Sequence, residues 1–261
     1  MAFRPKRWLE RRLRQRACDD WARLDSQAER LRAAQLPYLR EQALTLRKHL
    51  DSFLTVRHQR VRGSRAALDR LPMPGGTDWR WRPGFLDAPM TPAGSVGPDS
   101  GTLLGPGLTV WHDCPDRALL LRQTGNTDSA DLSSQILRIE VLGFGGSFLS
   151  LSTDLPDEVR DGLTRDHIIR VETVIQPEAE ADIYLRLNIG NGPNTEEILR
   201  HLGGMEAGRG NRHVTEFDLA ETAMNENRID KVWLDVILEK PAMNAVGIRE
   251  MIVSRHPRAN V

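Results

Sequence analysis

The chain has 261 residues, and its 36 Lys and Arg balance 36 Asp and Glu, so the formal net charge is zero. Hydrophobic residues at 39% and charged residues at 28% exclude a wholly disordered chain, which needs fewer apolar residues and a larger charge imbalance. No apolar run approaches the ~18 residues of a spanning helix, and two cysteines, Cys18 and Cys114, without a CxxC pair exclude a disulfide scaffold.

The first 60 residues read as helix. Leu9, Leu13, Ala17, Trp21, Leu24, Ala28 and Leu31 recur in steps of three and four, which keeps one helical face apolar. Arg11, Arg12, Arg16, Arg23 and Arg30 occupy the opposite face. Pro37 lacks a backbone donor and crowds the preceding turn, so a break is expected near Leu36–Pro37. A second helix, carrying Leu39, Ala43, Leu46, Leu50 and Phe53, is expected to run to about Arg60. Residues 1–70 hold 18 bases and 8 acids, a net +10 that leaves −10 for the rest. A near-heptad period suits pairing with another helix, so residues 5–60 are expected to self-associate or to dock on the acidic remainder. Phe3 and Trp8 beside clustered Arg make an anionic membrane surface or nucleic acid the lesser alternatives. The amino-terminal stretch is positive but has no apolar core of a secretory signal, and the cysteines read as reduced thiols. The expected location is therefore cytoplasmic.

Residues 63–107 are rich in Gly and Pro and read as an ordered strap, because Trp79 and Trp81 are large aromatics that a mobile linker rarely carries. From residue 108 the period becomes two. Strands are predicted at 108–114, 118–124, 137–144, 147–154, 167–176, 181–189, 213–219, 231–238 and 246–255. Gly145-Gly146 reads as a hairpin turn, and Thr195–Leu202 as a short helix capped by Asn194 or Thr195. Nine strands without alternating helices predict a mainly β fold, an antiparallel jelly-roll-like sandwich with a helical segment in front. The expected division is 1–62 helical, 63–107 strap and 108–261 sandwich.

The residues that carry chemistry form no catalytic signature. His112-Asp113-Cys114 offers too few converging ligands for a metal, and His167, His201, His213 and His256 are scattered. Carboxylate pairs such as Glu196/Glu197 or Asp154/Glu172 can be nominated for glycoside chemistry, but no spacing singles one out. Gly143–Ser147 precedes a strand rather than a helix, so it is not a phosphate loop. The polar run Asn188-Ile189-Gly190-Asn191-Gly192-Pro193-Asn194 is the best ligand candidate, because Asn both donates and accepts and so suits hydroxyl-rich ligands. Arg186, Asn188, Asn191 and Asn194, with Trp79 and Trp81 as aromatic platforms, are the candidate binding residues. No catalytic residue, metal or cofactor is expected.

Several stretches resemble an uncharacterised domain-of-unknown-function family of Rhodobacter-type alphaproteobacteria. They are Gly145–Leu151, Arg186-Leu187-Asn188 with Gly192–Glu196, Glu216–Ala220, and Val232–Asp235 through Pro241–Asn244. The resemblance covers roughly residues 70–260, including Gly76–Pro83 and Trp111–Cys114, and the leading basic helix fits it. It implies no activity and no catalytic residues. The strand succession is also similar to galactose-binding-like and carbohydrate-binding jelly rolls, at the level of fold. Together these readings lead to a non-catalytic binding module with glycan as the expected ligand. A scaffold without a small ligand and a carbohydrate-active enzyme of unrecognised type are the alternatives.

Overall fold

The computed structural model describes residues 5–27, 32, 34–65, 68, 71–128 and 130–259, with helical side chains described over 12–27 and 34–50. The chain divides into two units, residues 1–57 and 58–261. Helices α1 (Pro5–Ser26) and α2 (Leu36–Arg65) bear out the helical reading with two changes. The break lies upstream of the expected position, and Pro37 sits in the first turn of α2, where a missing N–H costs nothing. The second helix also continues five residues past Arg60. Leu13, Leu36, Leu46 and Leu50 are exposed, while Trp21, Leu24, Leu39 and Ala43 are half-buried. Phe3, Ala28, Arg30 and Leu31 lie outside the described residues, as do the side chains of Trp8, Leu9, Arg11 and Phe53. Among the described residues no helix is long and apolar enough to cross a membrane.

The second unit is a sandwich of two antiparallel sheets with jelly-roll-like connections. In chain order its strands are β1 (Trp79–Trp81), β2 (Gly94–Val96), β3 (Thr102–Gly105), β4 (Leu108–His112), β5 (Leu119–Gly125), β6 (Gln135–Val141) and β7 (Phe148–Asp154). They continue as β8 (His167–Pro177), β9 (Asp182–Asn191), β10 (Asn194–His201), β11 (Asn211–Asp218), β12 (Ile229–Glu239) and β13 (Asn244–Pro257). One sheet runs β11-β8-β13-β6-β5-β2, with β1 on the second half of β13, and the other runs β10-β9-β12-β7-β4-β3. The core is the apolar phase of both sheets. Leu108, Val110, Leu149, Leu151, Leu185, Leu187, Leu234 and Val236 face Leu121, Leu137, Ile139, Ile169, Val171, Phe217 and Val253, all buried.

All nine predicted strands are present, and four more appear. Three of these, β1, β2 and β3, lie in the Gly- and Pro-rich segment, which therefore supplies strands to both sheets. The fourth is β10, where a helix was expected. Its Asn194 pairs with Asn191 across a two-residue turn of Gly192 (φ 67) and Pro193, so Asn194 and Thr195 cap nothing. Glu196, Glu197 and Leu199 favour helix in isolation, but hydrogen bonding to β9 and burial of Ile198 override that preference.

Gly145-Gly146 is also not a hairpin turn. β6 belongs to the seven-stranded sheet and β7 to the six-stranded one, so this link crosses between sheets. The glycine is needed for close approach, because a Cβ on Gly146 would collide with the Asp113 carboxylate and lie 2.8 Å from the Cys114 nitrogen.

Buried charges tie loops to β13. Arg255 holds Asp78 at 2.8–2.9 Å and donates to the carbonyls of Val159 and Asp161 at 2.7 and 2.8 Å. The guanidinium keeps the Asp78 carboxyl below its ordinary value. Glu250, 1% exposed, accepts from the backbone of Leu132 and Ser133 and from the Ser133 hydroxyl.

Candidate functional site

The face of the six-stranded sheet turned away from the core carries an unusual set of side chains. Alternation places Thr109 and Trp111 of β4, Ser150, Ser152 and Asp154 of β7, Trp233, Asp235 and Ile237 of β12, and Arg186 and Asn188 of β9 on this phase. The register aligns them in rows. Trp111 stands beside Ser150 and Ser150 beside Ile237; Thr109, Ser152, Asp235 and Arg186 form the next row; Asp154, Trp233 and Asn188 form the third. With Phe148 and Lys231, all of these except the buried Asn188 line a groove of about 600 Å³.

The floor is polar and fixed. Asp235 is 3% exposed, and its Oδ2 accepts from Arg186 Nε at 3.0 Å, Arg186 Nη2 at 2.9 Å and Asn188 Nδ2 at 2.9 Å. Arg186 also reaches Glu197 at 3.3 Å. Among the described residues no hydrogen bond uses Asp235 Oδ1. Ser150 is 5% exposed, and its Oγ is buried without a partner. A buried hydroxyl without a protein partner is costly, and this one lies beneath the groove surface, shielded by its neighbours.

The rim is aromatic. Trp111 is 47% exposed, and its ring passes over Gly101, where a Cβ would sit 3.2 Å from the indole. Phe148 is held by the link from β6. Asp113 accepts from Ser147 N at 2.7 Å and from Phe148 N at 3.1 Å, and also takes the Ser147 hydroxyl. The Ser147 donors pull the exposed Asp113 carboxyl down to about 2. At the other end Lys231 Nζ lies 2.9 Å from Asp154 and 5.3 Å from the centre of the Trp233 ring. Beyond Arg186, Tyr184 packs on His201 with ring centres 4.7 Å apart and ring planes tilted by 41°.

The structure brings only part of the expected site together. Arg186 lines the groove, and Asn188 lies fully buried beneath it, bridging to Asp235. Asn191 and Asn194 face one another at the β9–β10 turn, where Asn191 Nδ2 reaches its own strand's Ile189 carbonyl at 3.4 Å. Trp79 and Trp81 are on β1 in the opposite sheet, half-buried against the core. Sequence reasoning missed Trp111, Phe148, Trp233, Asp235 and Ser150. The available signal was two tryptophans and an aspartate on the non-core phase of otherwise apolar strands. His112 is buried and serves structure: its Nε2 meets the Pro98 carbonyl at 2.9 Å and its Nδ1 accepts from Cys114 N at 3.2 Å. Among the described residues no three His, Cys, Asp or Glu converge on a metal position.

The chain belongs to DUF6478, a family of unknown function, which it matches over residues 1–261. No curated protein matches it. Among solved structures it is similar to the C-terminal family 22 carbohydrate-binding module of Clostridium thermocellum Xyn10B (11% identity, 73% of this chain, 99% of that one, TM-score 0.40). It is also similar to a cyclase from Fischerella sp. TAU (12%, 70% of this chain, 100% of that one, TM-score 0.44). A third likeness is to tailspike protein 4 of bacteriophage CBA120 (7%, 56% of this chain, TM-score 0.41), of which the chain spans 19%. At these scores the likeness concerns the sandwich alone.

Proposed function

We propose that the groove on the six-stranded sheet is a non-catalytic carbohydrate-binding site. The observation that carries this reading is the pairing of the exposed rings of Trp111 and Phe148 with a polar floor that the bonds from Arg186 and Asn188 to Asp235 hold in place. A pyranose has an apolar C–H face and a rim of hydroxyls. It can lay the first on an indole and satisfy the second with side chains that both donate and accept. The non-catalytic part rests on the two groove carboxylates. Asp154 is engaged by Lys231 at 2.9 Å and Asp235 by Arg186 at 2.9 Å, so neither carboxylate is free of a cationic partner to turn on a bound sugar. Calorimetric titration of a broad sugar panel tests the site. Binding that falls at least tenfold in Trp111→Ala and Trp233→Ala supports it; a panel without binding, or binding indifferent to both tryptophans, overturns it.

A second observation concerns the helical unit. Leu36, Leu39, Ala43, Leu46 and Leu50 follow heptad spacing on α2, and Leu36, Leu46 and Leu50 stand exposed. We propose that this stripe pairs with a second copy of the chain. Arg40 and Arg47 flank it, so association should strengthen as salt screens their repulsion. Docking on an anionic membrane or nucleic acid would weaken under the same change. Light scattering of the full chain and of Leu46→Glu at low and high salt separates the two.

A further inference from the structure

The groove binds, we infer, a neutral oligosaccharide that spans both tryptophans, rather than a single sugar or an acidic chain; this rests on the carbohydrate reading above. Two observations carry it. The first is the separation of the aromatic platforms. Trp111 is level with Ser150 and Ile237, two strands across, and Trp233 lies four residues along β12 from Ile237. Strand spacing and rise then put the two tryptophan Cα atoms about 16 Å apart on the diagonal. One pyranose ring cannot touch both. Between them lie Ser150, Ser152 and Asp235, a polar strip in which successive sugars of a chain find hydroxyl partners. Engaging the second tryptophan then costs no further loss of translational freedom, so affinity climbs with chain length until the chain spans the diagonal.

The second observation is the charge balance. Four charged residues line the groove: two cations, Arg186 and Lys231, and two carboxylates, Asp154 and Asp235. Lys231 is 2.9 Å from Asp154, while Arg186 is 2.9 Å from Asp235 and 3.3 Å from Glu197. No groove cation is left over for a uronate, sulfate or phosphate. An acidic ligand that drew Arg186 away would strand Asp235, whose side chain is 4% exposed, a costly exchange, and one that drew Lys231 away would bring its own charge up against Asp154. A neutral chain leaves both pairs in place.

The test uses the full chain and calorimetric titration with gluco-, manno-, xylo- and galacto-oligosaccharide series, from monosaccharide to hexasaccharide, beside oligogalacturonates of matched length. For the sugar that binds, the hexasaccharide should bind at least about tenfold more tightly than the monosaccharide. Trp111→Ala and Trp233→Ala should each abolish that gain. The oligogalacturonate should bind at least about tenfold more weakly than its neutral counterpart. Equal affinity for monosaccharide and hexasaccharide, or an acidic chain that binds as well as a neutral one, overturns the inference while leaving the carbohydrate site standing. A complete absence of sugar binding overturns both. Circular dichroism and melting of each variant confirm that a lost gain is not a lost fold.

Discussion

Replacing Asp235 by alanine removes the acceptor of three hydrogen bonds at once, since Arg186 Nε, Arg186 Nη2 and Asn188 Nδ2 all meet its Oδ2 within 3.0 Å. The magnitude follows from how wet each partner is. Side-chain exposure is 4% for Asp235 and 35% for Arg186, while Asn188 is 0% exposed. Stripping one partner from a fully buried ion pair costs about 3–5 kcal/mol. The arginine can turn to water and to Glu197, which brings its share down toward the ~1 kcal/mol of a surface pair. The Asn188 amide cannot. It keeps only long bonds to the Arg186 and Trp233 carbonyls, at 3.2 and 3.4 Å, and adds about 1 kcal/mol. The expected total is about 2 kcal/mol, or a Tm lower by roughly 4–8 °C for a domain of this size. Urea denaturation should show the midpoint falling with an unchanged slope. A double-mutant cycle with Arg186→Ala should return a coupling of about 1 kcal/mol. A stability within about 0.5 kcal/mol of the parent, or strictly additive single changes, would refute the reasoning that the groove floor is held by this carboxylate.

Three further outcomes are expected. Gly146→Ala should destabilise the fold by about 1–3 kcal/mol in chemical denaturation, because its Cβ would meet the Asp113 carboxylate and lie 2.8 Å from the Cys114 backbone nitrogen, which cannot swing aside as a side chain can. Asp113, held down to about 2 by Ser147, binds fewer protons folded than unfolded. Its contribution is therefore complete above the ordinary carboxylate range near pH ~4 and fades as pH falls toward 2. The Ser147 and Phe148 amide resonances should move in that window in the parent and stay still in Asp113→Asn. Ala242 adopts φ 47, a left-handed conformation that costs an alanine about 1–2 kcal/mol. Ala242→Gly should raise stability by about 0.5 kcal/mol once the extra freedom of glycine in the unfolded chain, about 0.5–1 kcal/mol, is subtracted. A measured loss of stability would show that this turn is not strained.

The strands that could be read from the chain are those long enough to display a period. Leu137, Ile139 and Val141 against Arg138 and Glu140, or Val232, Leu234, Val236 and Leu238 along β12, repeat often enough for alternation to speak. β1, β2 and β3 have three or four residues each, too few for any period, and their Gly and Pro neighbours read as turns. β10 failed for another reason: its residues prefer helix locally, and only the partner strand β9 decides otherwise. The groove was harder still. Its members come from β4, β7, β9 and β12, which are up to 128 positions apart, from Thr109 to Ile237, and only the register sets them side by side. Asn188 and Arg186 were found because the polar run around them is local. Trp111 and Trp233 were not, because they stand 122 positions apart and no local motif joins them.

The segment before β4 has a consequence for anyone who would cut or graft this sandwich. β1 covers the second half of β13, β2 covers β5 and β3 covers β4. A fragment beginning at Leu108 would therefore expose three stretches of unpaired backbone, on both sheets at once. Open strand edges recruit other strands, so such a fragment would clump through those edges whatever its surface charge. The piece that can travel between proteins intact starts ahead of Trp79. What resembles a connector in composition is the hem that stops the fabric from fraying.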